Sequence, residues 1–283
     1  MTKICFLYCT QSCNPNNLTI MDIRFFKYQG TGNDFVLIDN RDGKFSSGDT
    51  QLISMICHRR FGVGADGLML LERSDKSAFN MRYFNSDGKE STMCGNGGRC
   101  IAAFAVDIGV APKGKYFTFS AADGHHEALV DGDMVSLKMI DVEGFEEIDG
   151  GLFLDTGSPH FVIFVDEPSS VDVVKEGRFW RNHERFSPGG TNVNFVGPVK
   201  NGEVNMRTFE RGVEDETWSC GTGAVASAIA THIQNKSGTN FVMNVPGGRL
   251  NVSFVPKDND RFENIWLKGP AKFVFEGRLN YGF

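Results

Sequence analysis

MRYFNSDGKESTMCGNGGRCIAAFA, residues 81–105, can be laid over MRTFERGVEDETWSCGTGAVASAIA, residues 206–230. Met81 and Met206 open the two stretches 125 positions apart, and Cys94 and Cys220 stand 126 apart, so one residue of insertion separates them. Upstream, GTGNDFVLID (30–39) aligns with DTGSPHFVIFV (155–165), each a turn cluster leading into β-branched and aromatic sequence. Three landmarks in one order at one offset read as a duplicated α/β unit, with a period too long for a solenoid.

Within the first copy FVLID, LMLLE, AFNMRYF, YFTFS and MVSLKMI read as strands bounded by Gly, Asp and Asn turns. In the second, FVIFV, VNFV, VNMRTF, LNVSFV and IWLKG read the same way. Three helices are predicted: 94–108 and 220–235, where alanine-rich apolar sequence follows a Cys-Gly cluster, and a shorter one over 49–59. The fold class is therefore α+β (α/β): two pseudo-symmetric domains, each a strand-rich sheet wrapped around one apolar helix. The glycines of EGFEEIDGG (143–151) mark the junction, giving domains over 22–142 and 143–271. A last strand in 272–283, beginning KFVFEG, is expected to cross back onto the first domain. Residues 1–21 read as a dispensable leader, with Met21 an alternative start; their apolar stretch is too short for a secretion signal.

At 283 residues the chain suits two domains. An apolar fraction of 41% with no run near the ~18 residues of a membrane helix excludes a membrane span. A net charge of −6 without a Lys/Arg block argues against nucleic acid or an anionic membrane as partner. A small polar substrate remains open. Seven cysteines without a secretion signal point to a reducing, cytoplasmic setting and no disulfide framework. Cys5, Cys9 and Cys13 have no Cys-x-x-Cys spacing and no nearby histidine, so they carry no metal role.

GVGADG (62–67) matches Gly-x-Gly-x-x-Gly in letters only, since it leads into a strand where a dinucleotide fingerprint needs a helix. No Gly-Lys-Ser/Thr phosphate loop is present, no pair among Cys57, Cys94, Cys100 and Cys220 has zinc-type spacing, and no glycine cluster carries a lysine for pyridoxal chemistry, so neither a metal nor an organic cofactor is expected. Cys57 and Cys100 read as core.

Cys94 and Cys220 differ because each stands at a predicted helix N-terminus. Unpaired amides and the positive end of the helix dipole stabilise a thiolate there and are expected to lower its pKa toward neutrality. The Gly-Asn-Gly-Gly and Gly-Thr-Gly that follow let a ligand approach the amides closely. Facing one another about a pseudo-two-fold axis, two such thiols would flank one bound carboxylate. Inverting an α-carbon needs a base on one face and an acid on the other, and a thiolate with a thiol supplies both. Amides aimed at the carboxylate would stabilise the enediolate.

These stretches resemble the diaminopimelate epimerases, cofactor-independent enzymes of lysine and cell-wall precursor synthesis. The similarity runs from about Ile23 through GTGNDFVLID, FGVGADG, YFNSDGKESTMCGNGGRC, TGSPHFV, GTNVNFV and FERGVEDETWSCGTGA. It implies two similar domains with the active site in the cleft between them, diaminopimelate as substrate, and a homodimer. It makes Cys94 and Cys220 the acid/base pair, with Gly95, Asn96, Gly221 and Thr222 contacting the reacting carboxylate. It further implies that Asn33, Asn85, Asn192 and Arg211 bind substrate, and that His160 and Glu210 tune the thiols or bind the ammonium. Read alone, Glu210 and Arg211 would be an exposed loop ion pair.

Three positions depart from the family pattern. Gly67 stands where many members have Gln, Ser158 where Asn is frequent, and the 212–219 loop is one residue longer. A proline or hydroxyproline racemase on the same scaffold is the nearest rival, but it places His where this chain has Asn96. A phenazine-type isomerase lacks the cysteines, and a thiol redox-sensing small-ligand protein is the alternative from another class.

Overall fold

A computed structural model describes residues 20–282, so the leader and its three cysteines lie outside the described residues apart from Ile20 and Met21. The first half runs β1 (Ile20–Gly30), β2 (Asn33–Asp39), α1 (Thr50–Cys57), β3 (Gly67–Glu72), β4 (Asn80–Asn85), β5 (Glu90–Ser91), α2 (Gly95–Asp107), β6 (Tyr116–Ala121), β7 (Gly124–Asp131) and β8 (Met134–Lys138). The second runs β9 (Glu146–Ile148), β10 (Gly151–Asp155), β11 (Pro159–Phe164), α3 (Val173–Arg181), β12 (Asn192–Val196), β13 (Glu203–Glu210), β14 (Asp215–Thr217), α4 (Gly221–Asn235), β15 (Asn240–Val245), β16 (Gly248–Pro256), β17 (Phe262–Pro270) and β18 (Lys272–Gly282).

The strand pairing of one half repeats in the other. β1–β2 is antiparallel, β2–β3 parallel, β3–β4 antiparallel, β4–β6 parallel, and β6–β7 and β7–β8 antiparallel. β10–β11, β11–β12, β12–β13, β13–β15, β15–β16 and β16–β17 follow the same order of senses. The halves are stitched at two places: β8 pairs antiparallel with β17, and β18 pairs antiparallel with β1 across almost its whole length.

α2 and α4 occupy the centres of the two curved sheets. From Gly95 to Ala105 every residue of α2 is buried, and α4 is buried from Gly221 through Thr231 apart from Thr222. A helix covered on all sides needs apolar residues on all sides, and the alanines let strands approach from every direction. Its core cluster is continuous between the halves, running from Phe35, Phe104 and Leu137 to Ala224, Ile229 and Leu267.

Outside the sheets lie α1 and α3. Leu52, Ile53 and Ile56 of α1 pack on Val36, Ile38, Leu68 and Leu70, so β2 and β3 are buried on both faces and read as unbroken apolar runs. The sequence reading has no counterpart for α3. This helix docks through Val173 and a glycine: a Cβ on Gly177 would sit 2.3 Å from Phe209 Cβ. Two small buried positions give too thin an apolar stripe to register as a helical period. GVGADG forms the turn into β3 rather than opening a helix, and the glycine-rich 143–151 segment contains β9 within a hairpin to β10.

Phe104, fully buried in α2 against Phe26 and Tyr28, tests how strongly the central helix carries the fold. Phe104→Ala is expected to cost about 3–5 kcal/mol through lost burial and the cavity left behind. Urea denaturation followed by circular dichroism measures it, and a loss below about 1 kcal/mol would show a site that collapses freely.

Candidate active site

The two central helices meet start to start. A Cβ built on Gly221 would lie 3.4 Å from Gly95 Cα and 2.9 Å from Leu267 Cδ2, so this contact holds only because both first helical residues are glycine. A cysteine holds the N-cap position of each helix, and only Cys94 caps with its side chain. Cys94 Sγ accepts a hydrogen bond from the Gly97 amide at 3.2 Å, and Cys220 Sγ lies 3.4 Å from Thr222 Oγ1. Both thiols are free, as are Cys57 and Cys100.

The expectation that the helix termini bring both thiols toward neutrality is not met. Burial pushes Cys94 up to about 11 and Cys220 up to about 12, outweighing the hydrogen bonds from Gly97 and from Thr222 and Gly223 that pull the other way. The carboxylate of Glu210, at the end of β13, raises both further. Glu210 is itself raised by burial, with Asp66 adding to the rise. Both sulfurs are thus held as thiols at neutral pH, and ionising either requires a compensating charge.

Beneath Cys220 runs a chain of neutral groups. Thr208 Oγ1 donates to Asn194 Oδ1 at 2.9 Å, which fixes the amide so that Asn194 Nδ2 donates to His160 Nδ1 at 3.0 Å. His160 Nε2 then carries the hydrogen toward Thr222 Oγ1, 2.9 Å away, and the Thr222 hydroxyl faces Cys220. His160 is fully buried; burial, helped by the nearby charge of Arg211, pushes its pKa down to about 3. The imidazole is therefore a neutral prop for Thr222 rather than a titrating base.

Asn96 joins the halves. Its Nδ2 donates to Asn33 Oδ1 at 2.5 Å and to the Ser219 carbonyl at 2.9 Å, while Asn33 Nδ2 is held by Asp66 at 2.9 Å. Asn192 is engaged on both ends: Nδ2 donates to Ser158 Oγ and to the Pro159 carbonyl, each at 2.8 Å, and Oδ1 accepts the Arg211 amide at 2.9 Å. Asn192 therefore positions Arg211, whose guanidinium touches only the Gly189 carbonyl, at 3.4 Å, and pairs with no carboxylate among the described residues. The loop ion pair that Glu210 and Arg211 suggest when read alone does not form. Asn85, at the exposed end of β4, makes no side-chain hydrogen bond among the described residues.

Strand register explains where these residues fall. Phe35 opposes Gly67 and Gly67 opposes Asn85, just as His160 opposes Asn192 in the second half. Gly67 and Asn192 thus hold equivalent places, as do Asn85 and Glu210. Gly67 lacks a side chain because Tyr83 fills its space: a Cβ there would meet Tyr83 Cε2 at 2.5 Å. Tyr83, Arg99, Asn194, Thr208 and Ser219 all belong to the site's surroundings and escaped the sequence reading, since each looks like an ordinary strand, helix or loop residue. Among the described residues no three His, Cys, Asp or Glu side chains are grouped to hold a metal ion, and no helix is long and apolar enough to cross a membrane.

Comparison with known proteins agrees with this architecture. The family model described as diaminopimelate epimerase matches residues 25–139 and 152–274. A diaminopimelate epimerase of Flavobacterium psychrophilum is 51% identical over 256 residues, spanning 90% of this chain and 99% of its own. One from Chlorobaculum tepidum is 43% identical, spanning 88% and 98%. Among solved structures, a Bacillus anthracis phenazine biosynthesis protein of the PhzF family superposes with a TM-score of 0.73 at 14% identity, covering 92% of this chain and 99% of its own. A hydroxyproline epimerase from Agrobacterium vitis with bound trans-4-hydroxy-L-proline gives 0.66 at 13% identity, covering 92% of each. At such identities these two speak for the α+β two-domain fold alone. Fold and relatives together define an isomerase. The chain belongs to the diaminopimelate epimerase family.

With both thiols raised, the base appears only as pH climbs through the first thiol ionisation, and the acid is lost when the second ionises. The kcat/KM profile is therefore expected to rise from neutral to alkaline pH, with no limb near the ordinary histidine pKa of about 6.5. A limb in that region that disappears in His160→Gln would show the imidazole titrating and overturn its role as a neutral prop.

Proposed function

We propose that this protein converts LL-2,6-diaminopimelate to meso-diaminopimelate by a two-base mechanism in which Cys94 and Cys220 work from opposite faces of one α-carbon. One sulfur, as thiolate, takes the α-proton, and the C–H electron pair passes into the carboxylate to form an enediolate. The opposite thiol delivers its proton to the other face, ending as the thiolate. One proton is taken and one returned, so no redox partner is consumed. The amides at the two helix starts stabilise the charge that develops on the carboxylate oxygens. One observation carries the reading: the helix starts abut through Gly95 and Gly221, each capped by a free cysteine under the field of the same Glu210.

Arg211 suits the distal carboxylate, because its forked donors match a planar carboxylate and no protein acid among the described residues occupies them. Asn33, Asn85, Asn96, Ser158, Asn192, Gly95, Gly221 and Thr222 complete the binding surface in this reading, and Glu210 receives an ammonium. Residues 22–142 and 143–271 act as the two jaws, with β18 closing onto β1. Such an enzyme serves lysine and peptidoglycan precursor synthesis in the cytoplasm, where reducing conditions keep both thiols free. A homodimer accords with the exposed Phe273, Val274 and Phe275 on β18, whose second edge is unpaired among the described residues. Light scattering of the purified protein should then return twice the chain mass.

The decisive test incubates reduced, metal-stripped protein with LL-diaminopimelate in D₂O. Loss of the α-proton signal with appearance of the meso isomer is expected, and exchange with proline but not diaminopimelate would move the assignment to the racemases. Cys94→Ala and Cys220→Ala should each lower epimerisation by roughly 10²- to 10⁴-fold with the fold intact. Full activity in either would sink the two-base mechanism.

A further inference from the structure

Thr31 is held in a backbone conformation that its side chain disfavours. A two-residue turn joins β1 to β2 between the paired Gly30 and Asn33, with φ 49° at Thr31 and 95° at Gly32. A hairpin turn of this hand favours Asn, Asp or Gly at its first position, because a left-handed φ crowds a branched Cβ against the backbone. Eight non-glycine residues have positive φ among the described residues; seven are exposed, and Thr31 alone is both buried and β-branched. Such an outlier persists only where its surroundings hold it, and it points to a use for the side chain.

That side chain crosses between the halves. Thr31 Oγ1 accepts from Nη2 of the buried Arg99 on α2 at 2.9 Å and donates to Ser219 Oγ at 2.8 Å. Ser219 Oγ lies 3.5 Å from Asn96 Oδ1, which also accepts from Arg99 Nη2 at 2.9 Å, so the four side chains close a ring that joins the halves. Ser219 immediately precedes Cys220, and Asn96 Nδ2 holds the Ser219 carbonyl at 2.9 Å. The second half also clamps the turn: a Cβ on Gly32 would stand 2.6 Å from Trp218 Cβ, and one on Gly247 would collide with the Thr31 carbonyl.

The duplication supplies a comparison. Thr156 stands 125 positions further on, is buried, has no positive φ, and donates to the Thr222 carbonyl at 3.0 Å within its own half. Threonine at this place in the repeat therefore does not require a left-handed backbone. In the first half that backbone accompanies a hydroxyl that reaches Ser219.

We propose that Thr31 is a positioning residue whose hydroxyl pins Ser219, and with it Cys220, to the start of α2 that carries Cys94, so that the two thiols keep a fixed mutual placement. Glycine, the least strained residue for this turn, would leave the ring open. Misplacing one of two reacting groups slows the reacting step more than it weakens substrate binding.

This role rests on the two-thiol reading of the site, and one arm of its test needs no substrate. Hydrogen–deuterium exchange of the full chain, read by peptide mass spectrometry, is expected to quicken in residues 217–221 of Thr31→Gly and in residues 30–34 of Ser219→Ala, each change falling across the junction from its substitution. In the epimerisation assay Thr31→Gly and Thr31→Val should lower kcat roughly 10- to 100-fold and move KM by less than about threefold, whereas Thr31→Ser, which keeps the hydroxyl, retains most of the rate. Thr31→Val combined with Ser219→Ala should be no slower than the slower single variant, since both remove one link. Wild-type kcat in Thr31→Gly, additive losses in the pair, or unchanged exchange across the junction would each overturn the role. If Thr31→Val does not fold, Thr31→Gly and Ser219→Ala decide. Coupled exchange in a chain that does not epimerise diaminopimelate would refute the substrate alone, whereas epimerisation with uncoupled exchange would refute Thr31 alone.

Discussion

The contact of Gly95 with Gly221 sets the geometry of everything around it. Two helices whose first residues touch bring their unpaired amides, their dipoles and their capping cysteines into one volume, and any Cβ at Gly221 would run into Gly95 and Leu267. The rest of the architecture serves that meeting. Sheets wrap around α2 and α4, while the β8–β17 and β18–β1 pairings join the halves. Asn96 and Ser219 tie the junction laterally, so the two capping residues cannot shift independently.

Enclosure has an electrostatic consequence. The same packing that excludes water from an enediolate also desolvates the sulfurs and raises both pKa values, and Glu210 adds to the rise. A thiolate in such a place is a strong base, which suits removal of a weakly acidic α-proton. It exists only when something stabilises it. A positive charge brought close to Glu210 would offset the carboxylate's field. Burial that disfavours the thiolate thereby makes the base depend on a compensating charge.

Much of this was legible from sequence because the duplication repeats its signals. Cys94 and Cys220 declared themselves by standing before apolar helices at one offset, and the apolar runs of β2, β3 and β12 gave the strands. What stayed hidden depends on distance through space. The sign of the thiol pKa shift was read from the helix dipole, since burial of a capping side chain leaves no mark in the letters. α3 was missed because it packs through Gly177 rather than through an apolar stripe. Arg99 resembles any basic helix residue in the sequence, and only the structure shows it completely buried.

Duplication gives a symmetric scaffold, but a racemising site need not be electrostatically symmetric. A stereocentre attacked from two faces requires one base and one acid at a time, and two identical thiols would populate both single-ionised states equally. Several departures from the repeat fall close to the helix starts: Gly67 against Asn192, Asn85 against Glu210, Arg99 against Val225. The second half carries Glu210 and Arg211, while the first carries the buried Arg99. The repeat thus supplies matched helix starts, and its broken positions make the surroundings of the two cysteines unlike.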